Sequence, residues 1–487
     1  MAGIFNTLNT ASKGMNAQQT ALHTTGHNIS NANTEGFSRQ RVDMKADLSY
    51  TLGGVGQLGT GVKMTGVSRM VDDYVSRQIR QETSSMSQFG TKSETLGQLE
   101  IIYNEPSDTG LNFNMAEMFE SWQELAKNPE SLSSKTIVVE KSNTFADTYN
   151  HILSQMESLQ EETDLMIDKQ VRDLNATLDN INSLNKQIFN IAIKGHTPND
   201  LLDQRDLLLQ NMSEITDFKA DFENDKYGRV SISLNGAEPN QSVVVLEYDS
   251  AEPMKIAIKN DGKIVAKEPD IVDGNPVIDG EGNPTYADMV LSLEKGAIKG
   301  YMDAKTEILD VQIADLKKFG EKVAEEFNSA HKKDMTATGE ENLTNAINIF
   351  EFEGDKLSVN KDIIANNNLI LAGENYSSAV GDGSRASLIA NLRDKVVNIG
   401  GEKSTMENKY NSMITKLGIS KQHADNMVSN QDVLLGQLQM RRESTSGVSI
   451  DEEVTNMVKY QKAFEANARV IATLTEMLDV LINRTGV

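Results

Sequence analysis

The residues that could carry chemistry come to little when their spacing is tested. Gly54-Val55-Gly56-Gln57-Leu58-Gly59 has the literal spacing of a dinucleotide-binding turn, where glycines let the backbone approach a pyrophosphate at a helix N-terminus. Gly61 and Gly66 interrupt the helix that must follow, so no nucleotide site is expected. Asp279-Gly280-Glu281-Gly282-Asn283 begins like a calcium loop, but Pro284 stands where the loop needs glycine, and the flanks read as strand. His23 and His27 share a helix face without a third ligand nearby, which fits a surface or interface pair better than a metal centre. With 71 acidic residues, close carboxylate pairs arise by number alone and single out no glycosidase dyad. In Leu201-Leu202-Asp203-Gln204-Arg205-Asp206 the charges suit ion pairs and a helix cap where helices meet. No catalytic residue, cofactor or metal is expected, and the chain reads as a non-enzyme.

Composition narrows the class further. The 487 residues are enough for several domains, each with its own core. The absence of cysteine removes disulfides, thiolate metal sites and cysteine nucleophiles, and suits a protein that crosses compartments unfolded. A formal charge of −24 disfavours nucleic acid and anionic membranes as partners. No apolar run reaches the roughly 18 residues of a membrane span. Residues 1–34 carry one full charge, Lys13, and no apolar run of a cleaved leader, so the expectation is a soluble chain or one exported without cleavage.

What must position the remaining polar motifs is helix. Ile4, Leu8, Ala11, Met15, Gln18, Leu22, Thr25 and Ile29 step alternately by four and three, the seam of a coiled coil. Ile450, Val454, Met457, Gln461, Phe464, Ala468, Ile471, Thr475, Leu478 and Ile482 repeat the pattern, after a capping box at Ser449 and with Arg484 in the last turn. Gly3, Gly14 and Gly26 each cost a helix about 1 kcal/mol against alanine, so the arms are expected to be mobile in the monomer and to order on assembly. Between them, Val171, Leu174, Leu178, Ile181, Leu184, Ile188 and Ile191 keep helical spacing until Gly195 and Pro198. Residues Asp221–Glu294 hold five of the eight prolines and fifteen acids against six bases. Within that stretch Val230-Ser231-Ile232-Ser233-Leu234 alternates with period two, Val243-Val244-Val245-Leu246 reads as a buried strand, and Asn235-Gly236, Asp261-Gly262 and Asp273-Gly274 supply turns. The expected fold is therefore mainly α with an inserted all-β domain. Residues 1–40 and 445–487 form paired terminal coiled-coil arms, 41–217 and 295–444 a long-helix bundle body with short strands, and 218–294 a small β outer domain. The 345–400 stretch reads as mixed, with short strands.

Leu22-His23-Thr24-Thr25-Gly26-His27-Asn28-Ile29-Ser30-Asn31-Ala32-Asn33-Thr34-Glu35-Gly36-Phe37 resembles the N-terminal signature of the bacterial flagellar rod, hook and hook-associated axial family. Its Asn and Thr side chains compete for backbone hydrogen bonds and stop the helix, and Gly36 permits a left-handed residue. The continuation Phe37-Ser38-Arg39-Gln40 resembles the hook-associated branch rather than the hook or rod branches. Further similarity lies at Gly61-Val62 with Arg69, Leu125 to Pro129, Asn199-Asp200 with Asp203, Arg205 and Asp206, Phe327-Asn328 with His331, and Gly381-Asp382-Gly383. Tyr460 to Ile471, with Glu465, Asn467 and Arg469, is similar to the matching C-terminal arm. The short β insert, and the lack of a glycine-rich run after His331, imply that the outermost domain of larger family members is missing.

The resemblance implies a secreted structural subunit of the flagellum at the hook-filament junction, forming a ring or tube of copies through its arms. Implied partners are the hook protein, the next junction protein, an export chaperone and the flagellar type III export apparatus, with no nucleic acid or small-molecule substrate. A hook or distal rod protein is the alternative within the class, and a flagellum-borne hydrolase the alternative outside it.

Overall fold

The computed structural model describes residues 2–52, 54, 56–238, 241–259, 261–269, 271–272, 275–276, 286–335, 341–344 and 346–484. The Asp273-Gly274 turn, Val55 of the glycine-rich turn and the Asp279 to Pro284 loop lie outside them, as does the side chain of Arg484.

Helix α1 (Ala2–Ser30) is followed by strands β1 (Gln40–Ala46), β2 (Tyr50–Leu52), β3 (Gly56–Leu58) and β4 (Val62–Arg69). Helices α2 (Asp73–Tyr103), α3 (Leu111–Lys127), α4 (Leu132–Ala192) and α5 (Asn199–Ile215) come next. Strands β5 (Lys219–Asp221), β6 (Ser231–Asn235), β7 (Ser242–Leu246) and β8 (Lys255–Ile258) precede β9 (Ile264–Pro269), β10 (Ile271–Val272), β11 (Asn275–Pro276) and β12 (Tyr286–Val290). Helix α6 (Ala297–Asp303) runs through a π-helical turn, Ala304–Leu309, into α7 (Asp310–Lys332). Strands β13 (Phe350–Glu353) and β14 (Lys356–Val359), helices α8 (Lys361–Ala365) and α9 (Ser384–Ala390), and strands β15 (Val397–Ile399) and β16 (Glu402–Ser404) are all short. Helices α10 (Met406–Ser446) and α11 (Ile450–Asp479) follow. The fold is mainly helical, with small antiparallel sheets.

The chain forms two compact units, Met1–Met86 with Val171–Gly296 and Asn430–Val487, and Ser87–Gln170 with Ala297–Ser429. In the first, β1 pairs with β4 and α1 lies along α11. The β segment forms the sheets β5-β6-β7 and β12-β9-β8. On β6 the residues Ile232 and Leu234 face inward and the serines face out, as period-two alternation requires. Leu174, Leu178, Ile181 and Ile188 of α4 are buried in this unit. Asparagines on α4 fasten the β segment: Asn175 donates to Ile256 O and accepts from Ile256 N, both at 2.8 Å. Asn185 does the same with Val230, at 2.8 and 3.0 Å. At the base Asp217 accepts from the backbone N–H of Glu294 at 3.0 Å and of Lys295 at 3.1 Å, so the exit and return strands of chain are tied together.

The second unit holds an aromatic core of Tyr103, Trp122, Phe145, Tyr149, Phe319, Phe327, Phe350 and Tyr410. Each such side chain contributes about 1.5–3 kcal/mol on burial. A Cβ at Gly320 would lie 2.6 Å from the Tyr149 ring, so α7 can cross α4 there only without a side chain. Asn328 accepts from the amides of Ile349 and Phe350 at 2.7 and 2.9 Å and donates to Phe350 O at 2.8 Å, holding β13 to α7. Arg385 is fully buried and donates to the carbonyls of Gly373, Ala330, His331 and Glu374. His331 bridges Ile347 O, 2.9 Å from Nδ1, and the Leu371 amide, which donates to Nε2 at 3.1 Å. Burial holds this imidazole down at about 4, from 6.5, so it is neutral.

One sequence expectation changes. Ser449 makes no side-chain cap on α11, and the Glu452 that would complete the capping box pairs instead with Arg39 Nη1 at 2.9 Å. The arms are helical and lie along one another within the single chain, and a polar network ties their bases together.

Candidate assembly interface

The network starts at the stop of α1. Asn31 donates to His27 O at 3.0 Å and so satisfies a terminal helix carbonyl, and Thr34 donates to Asn31 Oδ1 at 3.2 Å. Gly36 then takes φ 78°, with a would-be Cβ 3.1 Å from Leu207 Cβ. Beyond the turn the buried Asn28 donates to Gln40 O at 2.9 Å and accepts from Gln40 N at 3.0 Å. The same Asn28 amide donates to Glu453 Oε2 at 2.9 Å, which reaches α11. Arg39 pairs with Glu453 at 2.7 Å and with Glu452 at 2.9 Å, and its backbone amide donates to Ser446 O at 2.9 Å. One turn of chain thus holds α1, β1 and both sides of the α10–α11 junction.

Helix α5 closes the other side. Gln40 Nε2 donates to Asp200 Oδ1 at 2.8 Å, and Asn199 donates to Val67 O at 2.9 Å. The Ser38 amide donates to Asp203 at 3.2 Å. Arg69 pairs with Asp203 at 2.7 Å and with Asp206 at 2.9 Å, and Arg205 pairs with Asp206 at 2.6 Å. Burial pushes the Asp203 carboxyl above its ordinary value even against Arg69. Burial also works against the charge on Arg69, but Asp206 and Asp203 hold its guanidinium above the usual range. His27 Nε2 lies 3.3 Å from Asp200 and its ring meets Phe37 edge-on at 5.4 Å. Asn33 is exposed.

Along the arms, Ala11 is buried, and Ile4, Leu8, Met15, Leu22 and Ile29 are half-buried. With Thr25 of the expected seam, the deepest face of α1 also contains Ala17, Ala21, Thr24 and Asn28, residues too small or polar to weigh in a hydrophobic pattern. Their size lets α11 come close, and a Cβ on Gly14 would sit 2.8 Å from Asn467 Oδ1. On α11, Met457, Phe464, Ala468, Ile471 and Leu478 are half-buried and Ile450 and Val454 are 51% and 47% exposed, while Ile482, in the π-helical turn Val480–Arg484 that continues α11, is 68% exposed. Val458, Val470 and Met477 are exposed as well, so α11 carries apolar side chains, on more than one face, that α1 does not cover. Glu465 pairs with Lys462 at 3.1 Å, and Arg469 is exposed. Among the described residues no group of three or more His, Asp or Glu could hold a metal, and no helix is long and apolar enough to cross a membrane.

Paired terminal helices bound at their bases to a helical body, with uncovered apolar side chains, define a structural subunit of an assembly. Residues 8–37 match the family described as flagella basal body rod protein, and residues 442–484 the C-terminal family of flagellar basal body rod FlgEFG proteins. Residues 96–345 match the flagellar hook-associated protein FlgK helical domain. The flagellar hook-associated protein 1 of Bacillus subtilis (strain 168) is 30% identical over 512 residues, covering 100% of this chain and 99% of the relative. That of Escherichia coli (strain K12) is 22% identical over 564 residues, covering 98% and 99%. A solved structure, the flagellar hook junction protein FlgK from Burkholderia pseudomallei, shares the fold at TM-score 0.59 and 14% identity, covering 76% of this chain and 100% of that one. The class is that of the structural axial proteins of the bacterial flagellum. Within it, the chain belongs to the flagellar hook-associated protein 1 family.

Proposed function

We propose that the chain forms the junction ring between hook and filament, as a secreted subunit that packs its terminal arms against those of neighbouring copies. The observation that carries the reading is the similarity to hook-associated protein 1 along the whole chain, and the uncovered apolar side chains of α11 support it. In this reading one rim of the ring meets the hook protein and the other the next junction protein. A cytoplasmic chaperone and the flagellar type III apparatus deliver the chain, and the role is mechanical rather than enzymatic, with no nucleic acid or small-molecule substrate. The two arms, including Ile450, Val454 and Ile482, are the assembly interface, and the Asn28 to Gln40 turn with Asn199 to Asp206 sets how the arms join the body.

The absence of native cysteine gives a clean test. A single cysteine at an exposed position such as Lys356, labelled with maleimide-gold on intact flagella, is expected to mark one narrow band between hook and filament. Label along the whole hook or filament, or none outside the cell, contradicts the reading.

A further inference from the structure

Arg80 of α2 lines two cavities of the first unit, of about 250 and 580 Å³. The smaller is bounded by the Asn33 to Ser38 turn, Asp206 and Ser446. Among the described residues the Arg80 guanidinium makes no hydrogen bond or close ion pair and feels Asp206 and Asp73 only through longer-range attraction. Arg69 and Arg205 use both oxygens of Asp206, and Arg442 donates to Gln210 and Glu443. Ser446, 7% exposed, has a buried hydroxyl without a partner on the wall of the same cavity. Burial lowers the Arg80 pKa from its ordinary value, so part of its desolvation cost is already incurred in the free chain.

We propose that Arg80 and Ser446 form a receptor for an aspartate or glutamate side chain of a second copy of this chain. An arriving carboxylate gains the attraction of a guanidinium that is already partly dry, which is the condition under which an interfacial ion pair adds affinity. Its source follows from charge: with 71 acids against 47 bases, copies repel on average and need local cations that accept carboxylates. The proposal rests on the self-assembly reading above. It adds a contact at the base of the arms, away from the exposed apolar side chains of α11.

The test uses flagella from cells producing the full chain with a photocrosslinker, Glu35→benzoylphenylalanine on the cavity wall or, as a reference, Val470→benzoylphenylalanine on α11. Both probes are expected to join two copies. Arg80→Ala should lower the Glu35 crosslink at least fivefold and leave the Val470 crosslink within twofold, with Arg80→Lys between. If the Val470 probe joins no copies, the self-assembly reading fails and the proposal with it. If Val470 crosslinks but the Glu35 probe joins no copies, joins another protein, or ignores Arg80→Ala, the Arg80 receptor alone is overturned.

Discussion

Arg39 and Glu453, 414 positions apart in sequence, meet through Nε at 2.9 Å and Nη2 at 2.7 Å, with the carboxylate almost wholly buried. That pair, with Asn28 on the second carboxylate oxygen, fastens the first arm to the last. Glu453→Ala leaves Arg39 and the Asn28 amide short of an acceptor and is expected to cost about 3 kcal/mol. Amide exchange should then accelerate in both α1 and α11. Unchanged exchange in α1 would show that the pair does not couple the arms.

Gly14 faces Asn467, and a methyl group at Gly14 must displace the Asn467 carboxamide. Gly14→Ala alone should lower stability despite its better helix propensity, by about 1 kcal/mol. Combined with Asn467→Ala, the same change should become neutral or stabilising. The double-mutant cycle, read by denaturant unfolding, measures the coupling directly.

Gly36 holds φ 78° against Leu207. Gly36→Ala is expected to cost about 1–2 kcal/mol from the left-handed backbone and the crowding at Leu207. An equal cost for Gly59→Ala, where φ is not positive and nothing lies within reach, would argue against that cause.

The neutral His331 makes the second unit acid-sensitive. Its folded pKa of about 4 lies below the unfolded 6.5, so the unfolded chain binds the extra proton first as pH falls. Stability is fully present above pH 6.5 and declines down to about pH 4, by about 3 kcal/mol. Asp382, held well below the usual carboxylate range by the Glu374 and Ser384 amides, acts in the same direction at lower pH. His331→Gln should flatten the upper part of the pH profile in thermal melts, and an unchanged slope between pH 6.5 and 4 would assign it elsewhere.

Much of this was legible in sequence because the signals were periodic. The buried Leu174, Leu178, Ile181 and Ile188 on α4 and the alternation on β6 follow directly from spacing. The small-residue face of α1 was not legible, since Ala17, Ala21, Thr24 and Asn28 carry little hydrophobic weight and gain importance only from close approach. Nor could the partners of Arg39 be read, because Glu453 lies at the far end of the chain and Glu452 beside it offered a local cap instead. The fully buried Arg385 escaped notice for a related reason. Its acceptors are backbone carbonyls, which leave no mark on side-chain pattern.

The most direct measurement is electron microscopy of hook tips on cells whose only copy of this protein lacks residues 444–487, with the secreted protein assayed alongside. If the arms build the junction, filaments are expected to be lost from otherwise intact hooks. Filaments of normal number and length on those hooks would contradict it.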